Sequence, residues 1–390
     1  MRNAEAARRH LTQTLIPFWS ALHDDAHGGF YGHMDNRLQL DRRAVKGCIL
    51  HSRILWFFAS AYQMLGDEAL LSNARHAYQF LTERCIDRDN GGVYWSVTYD
   101  GQPSDTTKHT YNQAFAVYAL SAYYRASGDT QALALAKELF LLIETRCRDA
   151  CGYREAFDRA FRPVSNDKLS ENGVIATRTM NTLLHVFEAY TGLYAAGGGQ
   201  AVADCLRGIL DMFAERVYHP IKKRQELFFD DDWHTLADVH SFGHDIETAW
   251  LMDYGCRVLG DAQYCKKMAR ITAELEQCVY QTAYSNHSLA NEAENGVIDQ
   301  DRIWWVQAEG VVGFLNAYQK NPCRTEYLQA AEDIWDFIME HVVDKRPGAE
   351  WIWRVSPDGT HDADDPVVGE WKCPYHNGRM CMEIMRRCAE

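Results

Sequence analysis

One short stretch of the chain brings together side chains that can transfer protons. His240, His244, Glu247 and Trp250 lie within an eleven-residue segment that reads as the first turns of a helix. In a helix these four positions lie on or near one face. Burying two imidazoles and a carboxylate requires hydrogen-bond partners, and Trp and His are unusual on a solvent-exposed face. The structural alternative is a buried histidine with satisfied hydrogen bonds beside a half-buried tryptophan.

Comparable polar or aromatic groups recur along the whole chain. Measured at His51, His109, His185, His244, Trp305 and His376, the steps are 58, 76, 59, 61 and 71 residues. Each group falls at the predicted start of a helix, so a regular array of helices would bring all six to one end of the fold, around one pocket. The full groups are His51-Ser-Arg53, His109-Thr-Tyr111-Asn112, Asn181-Thr-Leu-Leu-His185, the segment from His240 to Trp250, Trp304-Trp305 with Glu309, and Tyr375-His376-Asn377.

The pooled groups suit acid–base chemistry on a sugar. Histidine is the side chain whose unperturbed pKa allows it to accept and release protons near pH 7. Two imidazoles on opposite faces of one carbon could act as base and acid. Carboxylates and a guanidinium suit hydroxyl and carbonyl oxygens, while indole faces suit the C–H faces of sugar rings. The residues of these types are His185, His244, His376, Arg53, Glu247, Glu309, Trp250, Trp304, Trp305 and Trp371. Taken singly, Arg53 is also open to a structural ion pair, and Trp304-Trp305 to core packing.

An internal repeat predicts the elements that position these residues. Gly66-Asp67, Gly128-Asp129 and Gly260-Asp261 each read as the end of one helix and the N-cap of the next, and they lie 62 and 132 residues apart. A period of about 65 residues fits the chain about six times, with each repeat a helix, a tight turn, a helix and a rim loop. We therefore predict an all-α fold, an (α/α)6 barrel of six helical hairpins closed into a ring, with short β-hairpins in the rim loops. We expect a single catalytic domain over residues 1–390.

Composition excludes several classes of protein. The formal net charge of the 390-residue chain is −14 without a basic run, which argues against nucleic acid as a partner. No apolar run approaches the length of a membrane span, and the first residues carry no apolar signal segment. The 12 cysteines are scattered without a Cys-x-x-Cys pair, which favours reduced thiols in a cytoplasmic protein over a disulfide framework. We expect a monomer or weak homodimer.

Three other functions are consistent with some of the same candidate residues. His240, His244 and Glu247 could hold zinc on a helix, although the His-Glu-x-x-His order of zinc proteases is absent. Glu247 and Glu309 could be taken for the carboxylate pair of a glycoside hydrolase. A ring lined with tryptophan could also bind sugar without reacting with it. No Gly-x-Ser-x-Gly, phosphate loop or dinucleotide fingerprint supports a further class.

Four motifs and the opening of the chain carry a specific resemblance. The opening runs from Ile16-Pro-Phe-Trp to Lys46-Gly-Cys-Ile-Leu-His-Ser-Arg53-Ile-Leu-Trp-Phe-Phe. The motifs are Arg178-Thr-Met-Asn-Thr-Leu-Leu-His185-Val-Phe-Glu-Ala-Tyr, His244-Asp-Ile-Glu247-Thr-Ala-Trp250, Trp304-Trp-Val-Gln-Ala-Glu309 and Lys372-Cys-Pro-Tyr-His376-Asn-Gly-Arg. They resemble the N-acylglucosamine 2-epimerase superfamily, and within it the subgroup that epimerises cellobiose. The resemblance spans nearly the whole chain.

The resemblance implies an (α/α)6 barrel, in agreement with the repeat, and a role for each candidate residue. His244 and His376 would be the acid/base pair, with His185 close to the reacting carbons and His240 outside the substrate contacts. Arg53, Tyr111, Asn181, Glu247 and Glu309 would orient the substrate, and Trp250, Trp305 and Trp371 would form sugar platforms.

The implied reaction inverts C2 of the reducing-end glucose of a β-1,4-linked disaccharide such as cellobiose or lactose. A histidine would remove the C2 proton, Arg53 would stabilise the enediolate, and a histidine would return a proton on the other face. This chemistry requires no cofactor and no metal. An N-acetylglucosamine 2-epimerase or a mannose isomerase on the same scaffold are the nearest alternatives.

Overall fold

The Gly-Asp pairs form tight turns between helices. In the computed structural model, which describes residues 4–166, 168–169, 172–361 and 364–388, the glycines at 66, 128 and 260 have φ of 70°, 74° and 69°. This left-handed conformation strains residues with a side chain but not glycine. The aspartate that follows each glycine accepts a hydrogen bond from the backbone N–H two residues further on. The predicted helix–turn–helix units are therefore confirmed.

The helices form two concentric layers of a ring. The inner helices α3, α5, α7, α9, α11 and α13 each contact the next, and α13 also contacts α3, which closes the ring. Each inner helix also packs against an outer one. The helices are α1 (Ala4–His10), α2 (Ile16–Ser20), α3 (Cys48–Leu65), α4 (Glu68–Phe80), α5 (Thr110–Ser127), α6 (Thr130–Leu142), α7 (Met180–Ala195), α8 (Gln200–Met212), α9 (Phe242–Leu259), α10 (Ala262–Thr282), α11 (Trp304–Lys320), α12 (Thr325–Phe337) and α13 (His376–Cys388). The predicted (α/α)6 barrel is confirmed.

The two ends of the chain together make the sixth hairpin. The segment 4–20 is continuous, with α1 and α2 joined through a π-helical turn, and α1 packs against α13. The ring thus closes between chain termini rather than by a sixth complete repeat. Similar π-helical turns extend four outer helices, and the five turns are Leu11–Leu15, Leu81–Cys85, Ile143–Cys147, Phe213–Val217 and Ile338–Val342.

Short antiparallel strands lie in the loops between hairpins. Five pairings join the strand just before an inner helix to a strand of the following rim loop, namely β3–β4, β5–β6, β7–β10, β11–β14 and β16–β17. The rim strands therefore link successive repeats, and local hairpins, as predicted, are one part of the pattern. The strands are β1 (His33–Met34), β2 (Leu40–Asp41), β3 (Lys46–Gly47), β4 (Ser96–Val97), β5 (Lys108–His109), β6 (Ala156–Phe157), β7 (Arg178–Thr179), β8 (Tyr218–His219), β9 (Arg224–Gln225), β10 (Phe228–Phe229), β11 (Val239–Ser241), β12 (Tyr284–Ser285), β13 (Ser288–Leu289), β14 (Glu292–Glu294), β15 (Val297–Asp299), β16 (Arg302–Ile303) and β17 (Arg354–Val355).

A buried basic residue stands two positions before each of five inner helices. The residues are Lys46, Lys108, Arg178, His240 and Arg302, and each is hydrogen-bonded or ion-paired to a nearby polar group. In the first repeat Lys46 Nζ lies 2.7 Å from Asp24 Oδ2, and both side chains are almost fully buried. Such a pair fixes where the chain enters the helix, because neither charge can be left alone in the interior.

The inner helices are buried on all sides over their first turns. In α3, every residue from 48 to 59 is buried, which includes polar side chains. An apolar stripe facing one neighbour cannot explain this pattern, and the polar residues must therefore face each other or a cavity. None of the described helices is both long and apolar enough to cross a membrane.

Replacing Lys46 should destabilise the fold strongly. Lys46→Met leaves the Asp24 carboxylate buried without its cation, so we expect the free energy of unfolding to fall by about 3–5 kcal/mol. Urea unfolding followed by circular dichroism measures the change. Lys266→Met, at an exposed lysine, is the matched control and should leave the unfolding midpoint unchanged. Equal midpoints for the two variants would contradict the role given to the buried pair.

Candidate active site

The first turns of the inner helices surround a cavity of about 360 Å³. Each of the six groups identified in the sequence contributes at least one residue to this cavity. The groups therefore meet at one end of the ring, as the repeat predicted. Ten of the predicted site residues line the cavity: Arg53, Tyr111, Asn181, His185, His244, Glu247, Trp304, Trp305, Trp371 and His376.

Arg53 places a buried cation at the cavity, and it has no carboxylate partner among the described residues. Its guanidinium carbon lies 4.2 Å from the centre of the Phe115 ring and 4.9 Å from that of Tyr375. Nη2 donates a hydrogen bond of 2.9 Å to Tyr111 Oη, while Nε has no partner among the described residues. Because arginine remains protonated even when buried, this arrangement holds a positive charge that an oxygen of a bound molecule can neutralise.

His376 is held by a carboxylate behind the cavity wall. Its Nδ1 lies 2.7 Å from Glu309 Oε1. Burial raises the pKa of Glu309, and the Arg379 guanidinium opposes this effect by favouring the ionised form. An ionised carboxylate can only accept, so with Glu309 in that form Nδ1 carries the hydrogen and Nε2 has a free lone pair in the neutral ring. Burial and the nearby Arg379 guanidinium hold the pKa of His376 well below its usual range.

His185 has an equivalent partner on its own helix. Its Nδ1 lies 2.9 Å from Glu188 Oε2, and Tyr375 Oη also donates to that carboxylate oxygen. Burial lowers the pKa of His185, against the opposing effect of Glu188. The pKa of Glu188 is lowered to about 2, because Arg379 and His185 outweigh the cost of burial. Glu188 is therefore ionised, and it fixes the hydrogen of His185 on Nδ1.

His244 has a neutral partner instead. Its Nδ1 lies 2.7 Å from Ser241 Oγ, and burial together with His185 lowers its pKa to about 3. The Trp305 ring contacts both His244 and His376, with ring centres 4.8 and 5.4 Å away. The cavity therefore contains three neutral imidazoles, two with a carboxylate behind them and one with a hydroxyl.

One guanidinium connects the residues behind the histidines. Arg379 Nη1 lies 2.5 Å from Glu188 Oε1, and Nη2 lies 2.7 Å from Glu309 Oε1 and also donates to Glu247. No role for Arg379 or Glu188 was predicted from the sequence. A signal was present, because each lies three residues after a candidate histidine and therefore near it on the same helix.

Glu247 lines the cavity, and one of its buried carboxylate oxygens has no partner among the described residues. Its Oε1 accepts from Arg379, whereas Oε2 has no hydrogen-bond partner among the described residues. Burial and the neighbouring Glu309 carboxylate raise the pKa of Glu247. A carboxyl group with a raised pKa in this position can donate a proton to an oxygen of a bound molecule.

Trp250 and Glu309 lie behind the cavity rather than on its wall. Trp250 Nε1 donates a hydrogen bond of 2.9 Å to Glu309 Oε2, so the two support His376 from below. The family resemblance implied that Trp250 would form a sugar platform and that Glu309 would orient the substrate. The structure places both residues next to Arg379 and outside the cavity lining, and we propose that they position His376.

The interpretation of His240 as part of the helix face is wrong. Helix α9 begins at Phe242, whereas His240 lies in strand β11 and its Nε2 is 2.8 Å from Asp245 Oδ2. The alternative zinc set of His240, His244 and Glu247 is therefore not assembled in the described part of the chain. Among the described residues, the one group of three potential metal ligands close enough together is Glu247, Glu309 and His376, and Arg379 donates into it.

Two other predicted polar groups are structural. His51 Nε2 accepts from the backbone N–H of Phe30, and its Nδ1 contacts the Gly47 carbonyl. His109 is buried beside the Trp95 ring. The same two helices nevertheless contribute Arg53 and Tyr111 to the cavity. The repeat therefore located the helices correctly, but the residue that reaches the cavity lies two positions after the histidine.

The mouth of the cavity contains residues that the sequence did not single out. They come from the rim loops, where neighbouring repeats meet, and include Leu227, Phe228, Asn291, Asp299 and Trp353. Short rim segments carry no helical period, so no sequence pattern assigns these side chains to the cavity. Their position beyond the histidines leaves room for more than one sugar ring.

Proteins similar to this chain in sequence and structure include sugar epimerases. Residues 28–378 match the model of the N-acylglucosamine 2-epimerase (GlcNAc 2-epimerase) family. A cellobiose 2-epimerase of Ruminococcus albus is 51% identical over 380 residues, which cover 97% of each chain. The structure of cellobiose 2-epimerase from Bacillus thermoamylovorans B4167 is 43% identical, with a TM-score of 0.95 and coverage of 98% of this chain and 99% of that one.

A D-mannose isomerase of Marinomonas mediterranea is a more distant relative. It is 21% identical over 392 residues, covering 97% of this chain and 95% of its own. Since the family model covers most of the chain and the epimerases align with it from end to end, the predicted resemblance is confirmed: the chain belongs to the N-acylglucosamine 2-epimerase family.

Proposed function

We propose that the chain is a cellobiose 2-epimerase, an isomerase that interconverts glucose and mannose at the reducing end of β-1,4-linked disaccharides. The observation that carries the proposal is the juxtaposition in one cavity of three neutral imidazoles and Arg53, a buried cation without a carboxylate partner in the part of the chain that the structure describes. The relatives named cellobiose 2-epimerase support the choice of substrate, because the alignment includes every inner helix that lines the cavity.

The reducing-end sugar first has to open to its aldehyde. Glu247 lines the cavity, its Oε2 has no partner among the described residues, and the raised pKa of this carboxyl favours a proton that it can donate to the ring oxygen. His244 can accept the proton of the anomeric hydroxyl at the same time, and it becomes the imidazolium that later returns a proton to C2. The open chain places C2 next to a carbonyl group, which makes its hydrogen acidic.

A histidine then removes the C2 proton. The electron pair of the C2–H bond forms a C1–C2 double bond, and the aldehyde oxygen becomes negatively charged. His376 suits proton transfer, because Glu309 fixes its hydrogen on Nδ1 and stabilises the imidazolium that forms. His244 contacts the same Trp305 ring as His376, and we propose that it returns a proton to the other face of C2. The reverse reaction exchanges the two roles.

Arg53 stabilises the enediolate between the two proton transfers. Its charge is present before the reaction and is held by aromatic rings rather than by a carboxylate, so little reorganisation is needed when the oxyanion forms. Asn181, whose Oδ1 has no partner among the described residues, and His185 can bind the neighbouring hydroxyl groups. Residues of this chain account for each proton, and the proposal includes no cofactor or metal.

The second sugar of the disaccharide would occupy the mouth. Trp371 and Trp353 are half-buried there, and aromatic faces pack well against the C–H faces of a pyranose. Asn291 and Asp299 offer polar groups for its hydroxyls. We propose that this contact provides the preference for disaccharides over monosaccharides.

The remaining expectations concern the setting of the reaction. All twelve cysteines are free thiols, which supports the proposal that the chain works in the reducing cytoplasm. One chain supplies all the residues that the proposed reaction uses, so a monomer or weak homodimer is sufficient. We also propose that the ring is one catalytic domain, since its first and last helices pack together.

Product analysis tests the proposed reaction directly. The protein is incubated with cellobiose, lactose, N-acetylglucosamine and mannose, with and without EDTA, and the products are separated by chromatography. We expect the 2-epimers of cellobiose and lactose, no released monosaccharide, and equal yields with EDTA. Turnover of N-acetylglucosamine or mannose alone would favour the two related activities, and released glucose would favour a hydrolase.

Replacing either histidine of the pair should nearly abolish turnover. His244→Asn and His376→Asn each remove a proton carrier, so we expect kcat to fall by at least about 100-fold while the circular dichroism spectrum is unchanged. His234→Asn, at an exposed histidine away from the cavity, is the matched control and should retain full activity. Turnover close to that of the unmodified chain in either cavity variant would refute the assigned roles.

A further inference from the structure

A second cavity, of about 390 Å³, lies at the other end of the ring. Later turns of five inner helices line it, within residues 56–64 of α3, 118–125 of α5, 188–192 of α7, 250–254 of α9 and 379–386 of α13. The candidate active site is lined by the first turns of the same helices. The second cavity is therefore a separate space, and the proposed reaction makes no use of it.

A single layer of side chains separates the two cavities. Glu188 and Arg379 line the second cavity, and they are also the residues that hold His185 and Glu309 on the active-site side. Arg379 is 2% exposed, and its Nε has no hydrogen-bond partner among the described residues. A buried donor without a partner indicates an acceptor that the protein itself does not provide.

The solvent end of this cavity carries an excess of positive charge. Arg125 is exposed and forms no ion pair with any described residue, whereas Arg386 is bonded to Glu383. Arg379 lies deeper and pairs with Glu188, Glu247 and Glu309, so among the described residues Arg125 is the one cation of the lining without an ion pair, in a chain of net charge −14. A cationic opening on an acidic protein concentrates anions locally.

The wall of the cavity suits a hydroxylated ring. Trp56 and Tyr118 are stacked with ring centres 5.5 Å apart, and Tyr254 completes an aromatic lining. Ser60 and Gln63 add hydrogen-bonding groups between the rings. The cavity is as large as the active-site cavity, so it has room for a sugar ring and a substituent.

We propose that the second cavity binds a hexose phosphate. The sugar ring would lie against Tyr118 and Tyr254, and the phosphate would pair with the free Arg125 guanidinium at the mouth. The bound molecule would also contact the side chains of Glu188 and Arg379. The cavity is thus placed to regulate the active site through the residues that position its histidines.

Titration with α-D-glucose 1-phosphate tests the proposal, because this sugar has no free reducing end and cannot be epimerised. Isothermal titration calorimetry should show one site with a Kd of about 1 mM or tighter. Arg125→Glu should weaken binding at least tenfold, because it replaces the phosphate partner with a like charge. Arg257→Glu, at an exposed arginine in the last turn of neighbouring helix α9, should not change it.

Four results would overturn the proposal: no binding, equal binding by Arg125→Glu, displacement of the ligand by cellobiose, or binding of inorganic phosphate as tight as that of the sugar phosphate. Displacement would place the ligand in the active site, and equally tight inorganic phosphate would indicate a general anion site. Epimerisation of cellobiose by the unmodified protein is measured in parallel, so failure of this proposal is distinguishable from failure of the proposed function.

Discussion

The Arg379 guanidinium holds together the layer on which the candidate active site rests. It contacts Glu188, Glu247 and Glu309, and two of these carboxylates fix the hydrogens of His185 and His376. Three acidic side chains could not be buried so close together without a cation. The same contacts that make the buried charges tolerable therefore set which nitrogen of each imidazole faces the cavity.

The ring architecture makes this layer possible. Each inner helix contributes one or two polar side chains from its first turns, and the buried basic residues ahead of these helices, such as Lys46, fix where the turns begin. Because α13 carries both His376 and Arg379, the last helix of the chain completes the site and the ring at once. Activity and closure of the fold thus depend on the same helix.

Much of this organisation could be predicted from the sequence. The Gly-Asp turns recur at one or two steps of about 65 residues, because the hairpins pack around a common axis. This step length was sufficient to predict the closed ring. Ten candidate residues were also located correctly at one cavity. Residue type and spacing predict that a side chain reaches the cavity when that residue lies in the first turns of an inner helix.

Features that spacing alone did not reveal have local physical causes. His240 could not be separated from His244 by spacing, because a three-residue strand pairing with β14 ends only one residue before the helix starts. Trp250 and Glu309 share a helix face with cavity residues but lie one or more turns deeper, and depth along the barrel axis is set by tertiary packing. The rim residues depend on pairing between repeats that are about fifty residues apart, for which local sequence holds no signal.

The central claim is that imidazoles, which exchange protons with water, carry the C2 hydrogen. Epimerisation of cellobiose in D2O, followed by proton NMR of the purified product, tests it most directly. The account predicts deuterium at C2 of the reducing-end mannose and none on the non-reducing glucose. Complete retention of the original hydrogen at C2, together with efficient epimerisation, would contradict it.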